Sequence, residues 1–272
     1  MPLVLRLKAR STIPLEVDTV QLETVREQST VAAARTLIQY GNAQAPLGDF
    51  FGVTGSAGDN EIIWEGDCSA VKLIGAGQKE GRIRVEGDAG MHLGAQMLGG
   101  QILVNGNAGD WVGAEMHGGR IHVRGNAGNL VGAVYRGGRR GMTGGEILVD
   151  GSAGSEVGYT MRRGLIAIGG DAGEGVGFNM IAGTILVFGA SGPRPGAGMR
   201  RGTIGLLGAA PPLLPTFRRA TIYSPVFLRF YLLRLREMGF FVRDDYLAAD
   251  YHRYCGDLLQ LGKGEILVRK TA

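Results

Sequence analysis

The chain has 272 residues, a net charge of +4 and 44% hydrophobic residues. That apolar share supplies a continuous core and argues against disorder, while so modest a charge does not by itself point to nucleic acid. Glycine stands out at 48 residues against nine prolines, far above an ordinary share of about 7%, yet without the strict third-residue period or high proline content of collagen.

In chain order, the opening Met1-Pro2-Leu3-Val4-Leu5-Arg6 lacks a secretory pattern. No run of 18 apolar residues occurs anywhere. The expectation is a soluble, cytoplasmic protein. Leu3–Leu7 alternates as a strand, and Val31–Ile38 reads as a helix. Residues 1–50 are expected to form an N-terminal cap.

The next region is repetitive. Gly87-Asp88-Ala89-Gly90 returns as Gly106-Asn107-Ala108-Gly109, Gly125-Asn126-Ala127-Gly128, Gly151-Ser152-Ala153-Gly154 and Gly170-Asp171-Ala172-Gly173, with a degenerate copy from Gly189. The step is 19 residues, except for one step of 26 that carries a seven-residue insertion placed around Arg139 to Gly145. A weaker copy starts at Gly66, and Gly208 opens a further step. A fourth glycine follows at Gly94, Gly113, Gly132, Gly158, Gly177 and Gly196, so G-x-x-G-x-x-x-G occurs six times. Glycines at these corners are expected either to take positive φ or to allow close backbone packing.

Aligned on this step, one column reads Ile83, Ile102, Ile121, Ile147, Ile166, Ile185 and Ile204. Two residues on, it reads Val85, Val104, Val123, Val149, Ile168, Val187 and Leu206. Apolar residues at period two mark a β-strand, and stacked copies predict a parallel sheet with strands about 4.8 Å apart. A second column reads Met97, Met116, Tyr135, Met161, Met180 and Met199, which suits a core file better than a Met-rich binding surface. Between each Ile and Val lies an outward residue, including Leu103, Leu148 and Leu186. An apolar patch there needs a cover, either the C-terminal region or a partner.

Pro211, Pro212 and Pro215 end the repeats. A helix is predicted over Ser224–Met238, with Ser224 as N-cap and Pro225 in the first turn. A second helix is predicted over Asp244–Tyr254, then a strand over Gly264–Val268. The expected fold is all-β dominated: a right-handed single-stranded parallel β-helix over 51–208, with an N-terminal cap (1–50) and a C-terminal helical segment with a closing strand (209–272).

No catalytic set emerges. Gly262-Lys263-Gly264 lacks the spacing of a phosphate loop. His92, His117, His122 and His252 fall at unmatched repeat positions, and Cys68 and Cys255 lack metal-ligand spacing. Neither catalytic residues nor a metal site is therefore assigned. Arginine does recur beside the Met column, as Arg136, Arg162, Arg163, Arg200 and Arg201, with Arg139 and Arg140 added by the insertion. These seven form either a solvated basic rim or a track for a polyanion, because guanidinium forks bind carboxylates bidentately. Nucleic acid fits less well, since no aromatics interleave with them.

The run Gly106–Val123, read as Gly-Asn-Ala-Gly-x-x-Val-Gly-x-x-Met-x-Gly-Gly-x-Ile-x-Val, resembles the C subunit of formylmethanofuran dehydrogenase. The same repeat resembles the C-terminal domain of the glutamate synthase large subunit, but the flanking layout suits a stand-alone subunit. The resemblance covers about 51–208. It implies a non-catalytic subunit of a cytoplasmic one-carbon complex, with the chemistry in hydrolase-like and formyltransferase partners, without nucleic acid or membrane. One version passes formyl groups between a furan-type carrier (methanofuran or methylofuran) and tetrahydromethanopterin, releasing formate. The other is the molybdenum or tungsten dehydrogenase. A structural domain working with a glutaminase is the third reading. The resemblance also implies a carrier with a glutamate-rich tail, a ligand for the arginine edge, and no cofactor in this chain itself.

Overall fold

Each Ile-x-Val segment pairs with its copy one repeat away because the same side chains must be buried at the same height. The computed structural model describes residues 1–270. The N-terminal part contains β1 (Leu3–Leu7), β2 (Leu15–Glu16), α1 (Leu22–Val25), α2 (Thr30–Ala34), β3 (Leu37–Tyr40), β4 (Ala43–Pro46), α3 (Leu47–Phe50) and β5 (Phe51–Gly55). The repeats supply β6 (Glu61–Glu65), β7 (Val71–Lys72), β8 (Arg82–Glu86), β9 (Gln101–Val104), β10 (Arg120–Val123), β11 (Glu146–Val149), β12 (Leu165–Ile168), β13 (Thr184–Val187) and β14 (Arg201–Leu206). Then come β15 (Arg218–Tyr223), α4 (Val226–Glu237), α5 (Asp244–Leu247), β16 (Tyr251–Gly256) and β17 (Lys263–Arg269).

Thirteen strands form one sheet in the order β15-β16-β17-β14-β13-β12-β11-β10-β9-β8-β6-β1-β5. From β1 to β17 every neighbour is parallel, while antiparallel β5 and the β15–β16 pair close the two ends. The register is the predicted one, with Ile102 opposite Ile121 and Val104 opposite Val123. Every Ile and Val of the two columns is buried. Each such side chain contributes roughly 1.5–3 kcal/mol relative to exposure. The files extend beyond the repeats, through Trp64 and Leu5 at one end and Ile266 at the other.

Two further ladders join successive repeats. Alanines bridge in parallel from Cys68 through Ala89, Ala108, Ala127, Ala153 and Ala172 to Ser191, so the weak copy at Gly66 is part of the stack. Along the third, Gly113 N–H donates to Leu93 O and Gly132 N–H donates to Val112 O, each at 2.8 Å. Cys68, buried in the alanine file, has its thiol pushed up to about 12 by desolvation.

The polar residue of each Gly-x-Ala-Gly motif also ties the repeats together. Asp88 Oδ1 accepts from Asn107 N–H (2.7 Å), Asn107 Oδ1 from Asn126 N–H (2.9 Å), and Asn126 Oδ1 from Ser152 N–H (2.8 Å). An Asn126→Ala variant should lose about 0.5–1.5 kcal/mol, the net worth of one such bond. A urea midpoint identical to wild type would contradict this role.

Several predicted boundaries move. The helix expected over Val31–Ile38 stops at Ala34, because Leu37–Tyr40 pairs antiparallel with Ala43–Pro46 and buries Ile38. Ser224 does not cap α4: its hydroxyl donates to Ala249 O, and Pro225 takes the N-cap position. The helix expected over Asp244–Tyr254 covers only Asp244–Leu247, since Tyr251–Gly256 pairs with the open edge of β17. In the Met file the structure seats Met142 instead of Tyr135, so the insertion lies at 135–141.

α4 accounts for the outward leucines. Leu228, Leu232 and Leu235 pack on Leu148, Ala167 and Leu186, and all six are buried. Leu103 lies beyond the helix and remains half-buried.

Candidate functional site

The residue after each methionine is held by the backbone of the preceding repeat. Thr143 N–H donates to Met116 O (2.7 Å), Arg162 N–H to Met142 O (2.9 Å), Ile181 N–H to Met161 O (2.8 Å) and Arg200 N–H to Met180 O (2.8 Å). Arg162 and Arg200 therefore stand in one file with Ile181 between them, about 10 Å apart at two strand spacings. Arg163 and Arg201 occupy the next file, separated by Ala182.

The four arginines line one cleft of about 650 Å³, floored by Ile181 and Ala182 and walled by Tyr231 of α4 and Leu261. Among the described residues, none of the four guanidinium groups has an ion-pair or hydrogen-bond partner. Arg162 is half-buried and the others are exposed. Four unneutralised forks in one depression create a positive potential and offer up to eight parallel donors to carboxylate or phosphate oxygens.

The other three predicted arginines are elsewhere. Arg136, Arg139 and Arg140 are exposed on the insertion, and Thr143 fills the file position expected for Arg136. The insertion is anchored at its start by Tyr135, whose ring stacks on Trp111 (5.0 Å, 27°) and whose hydroxyl lies 2.9 Å from His92 Nδ1. Burial pushes the Tyr135 phenol up to about 12.

The histidines have structural partners. His117 Nδ1 lies 2.7 Å from Thr143 Oγ1, and His252 Nδ1 lies 2.8 Å from an Arg219 guanidinium nitrogen. His122 Nε2 lies 2.8 Å from Asp150 Oδ1, and Arg124 donates to Asp150 Oδ2 at 2.9 Å. Burial opposes ionisation of Asp150, but the bonds from His122 and Arg124 outweigh it and hold the carboxyl below its ordinary value. Among the described residues no three His, Cys, Asp or Glu side chains converge as metal ligands. No helix among them is long and apolar enough to cross a membrane.

Residues 68–214, just over half of the chain, match the profile of the GXGXG motif family. The chain belongs to that family. Its relatives include the C subunit of the molybdenum-containing formylmethanofuran dehydrogenase 1 of Methanothermobacter marburgensis, 44% identical over 96 residues. The tungsten-containing enzyme 2 of the same organism has a C subunit that is 40% identical over 97 residues. These matches cover 35% and 34% of this chain, and 24% and 36% of the relatives. A chain in the crystal structure of the formyltransferase/hydrolase complex (FhcABCD) from Methylorubrum extorquens, in complex with methylofuran, superposes with a TM-score of 0.90 at 34% identity. That likeness spans 98% of this chain and 100% of the other, so within the GXGXG family it includes the flanking segments as well as the repeats.

Tyr231 and Leu261 were not legible as cleft residues. They come from the C-terminal segment, and only the apolar residues on two opposite sides of α4 hint that it has more than one neighbour.

Proposed function

We propose that the chain is a non-catalytic structural subunit of a cytoplasmic formyltransferase/hydrolase complex. In that reading formyl groups pass between a furan-type carrier and tetrahydromethanopterin, formate is released, and the hydrolase-like and formyltransferase subunits do the chemistry. The observation that carries it is the full-length likeness, with a TM-score of 0.90, to a chain of the FhcABCD complex. The matches to the dehydrogenase C subunits cover only about a third of this chain, which favours the molybdenum or tungsten enzyme less. Purification through a tag on this chain, with mass spectrometry of the retained proteins, tests the choice. Formyltransferase and hydrolase-like subunits in fixed ratio support it. A molybdopterin-binding subunit or a glutaminase would overturn it.

The winding in this reading is a right-handed parallel β-helix. Parallel strands joined by a crossover are right-handed in about 98% of cases, and each repeat passes through the strand, alanine and glycine ladders in the same order. Residues 1–50 then serve as the N-terminal cap, 51–208 as the stack, and 209–272 as the C-terminal segment. β5, β15 and β16 pair antiparallel at the sheet ends, where an open edge invites association.

The cleft of Arg162, Arg163, Arg200 and Arg201 is the candidate site for the carrier's glutamate-rich tail; Arg136, Arg139 and Arg140 extend the basic surface on the insertion. Replacing the four cleft arginines by serine in the reconstituted complex should raise the apparent KM for a long-tailed carrier at least tenfold, roughly 1.4 kcal/mol. The KM for a short-tailed carrier and kcat should stay as they are. An unchanged KM for the long-tailed carrier would end this assignment.

A further inference from the structure

α4 is apolar on two opposite sides. One side, Leu228, Leu232 and Leu235, is buried on the sheet. On the other, Val226 is 68% exposed, Phe230 69%, Leu233 38% and Phe227 36%. At 3.6 residues per turn these four span an arc of about 120° facing directly away from the buried leucines. A helix with apolar residues on two opposite sides can pack between two layers, and among the described residues only the sheet covers α4.

A second apolar element lies beside the same cleft. Leu259 is 78% exposed and Leu261 55%. Leu261 and Tyr231 both line the arginine cleft, so the turn and the helix flank one depression. Large apolar side chains left exposed on both sides of one cleft mark an interaction site.

We propose that the outer ridge of α4, with the Leu259–Leu261 turn, docks another protein subunit of the same complex, one with an apolar centre and a carboxylate-rich rim. This rests on the complex reading above. Charge selects the partner. Arg229 is exposed and unpaired among the described residues, and the four cleft arginines, three of them exposed, are unpaired as well. Glu237 is the only acid on α4, and Arg234 already pairs with it at 3.4 Å. The surround is therefore basic, and an acidic rim complements it. A second copy of this chain is disfavoured, because a two-fold contact on the ridge brings like charges together.

The test uses the tagged full chain co-expressed with the other subunits of its complex, and reads the molar ratio of each retained subunit. The double variant Phe230→Glu/Leu259→Glu should lower one subunit at least tenfold, while the melting temperature of the isolated chain is unchanged. Arg229→Glu should lower the same subunit by a smaller factor. Val31→Glu, on exposed α2, should lower none. Full retention of every subunit by the double variant overturns the docking surface and leaves the complex reading intact. Failure of the wild-type chain to retain any subunit overturns both. Two other results also overturn the surface: loss of self-association instead of a subunit, or wild-type sedimentation with vesicles of equal parts phosphatidylcholine and phosphatidylserine that the double variant loses.

Discussion

Gly113→Val should destabilise the repeat stack by about 2–5 kcal/mol, from strain and overpacking together. Gly113 has φ +62°, a left-handed conformation that a β-branched residue adopts only under strain. A Cβ built there would overlap Ile147 Cδ1 and come within 3.3 Å of Ile121 Cδ1. Both isoleucines are fully buried in the central file, so neither can withdraw. Gly113 N–H also donates to Leu93 O at 2.8 Å, so moving the backbone breaks a tie to the preceding repeat. Because each repeat rests on its neighbours, the damage spreads through β9, β10 and β11 before the ends of the stack feel it. Gly137→Ala provides the contrast. It too has positive φ, but its Cβ would meet nothing within 4 Å, so only the backbone strain of about 1–2 kcal/mol applies. Urea unfolding of the two variants separates the cases, and a Gly113→Val midpoint equal to that of Gly137→Ala would contradict the corner geometry.

Leu186→Asp should detach α4 while leaving the interior of the stack in place. Leu186 lies on the outer face of β13, fully buried under Leu228, Leu232 and Leu235. An unpaired carboxylate there costs several kcal/mol, even after relaxation. Ile185 and Val187, its neighbours on β13, point the other way into the central core and keep their partners. Limited proteolysis is the direct check. The variant should be cut rapidly between residues 224 and 250, with the repeat region surviving as a resistant fragment. Leu186→Ala, which leaves a cavity but buries no charge, should cost about 2–5 kcal/mol without releasing the helix. A protease pattern for Leu186→Asp identical to wild type would place the cover of this face elsewhere.

What the residues reveal in advance depends on how local their pairing is. The Ile and Val files were legible because period two and a 19-residue step coincide over seven repeats. The Met file failed at one position. Between Gly132 and Gly145 the glycines do not say where the insertion sits, and both Tyr135 and Met142 are apolar enough to fill the gap. The ring stack on Trp111 and the contact to His92 decide it, and both partners are distant in sequence. β15 was illegible for another reason: all of Arg218–Ile222 is exposed, so no alternation marks it as a strand. Its existence follows from β16, and that of β16 from the open edge of β17. The cleft was half legible. Its arginines recur at the repeat step, whereas Tyr231 and Leu261 reach it only through the packing of α4 and the turn after β16.

In the proposed role this chain holds the complex together while its partners carry out formyl transfer. The most direct measurement is formate release from a formylated furan carrier by the purified chain alone, by the other subunits without it, and by all of them recombined. No turnover is expected from the chain alone, and the recombined complex should reach a rate that the other subunits do not reach without it. Turnover by the lone chain, or an undiminished rate without it, would contradict this role.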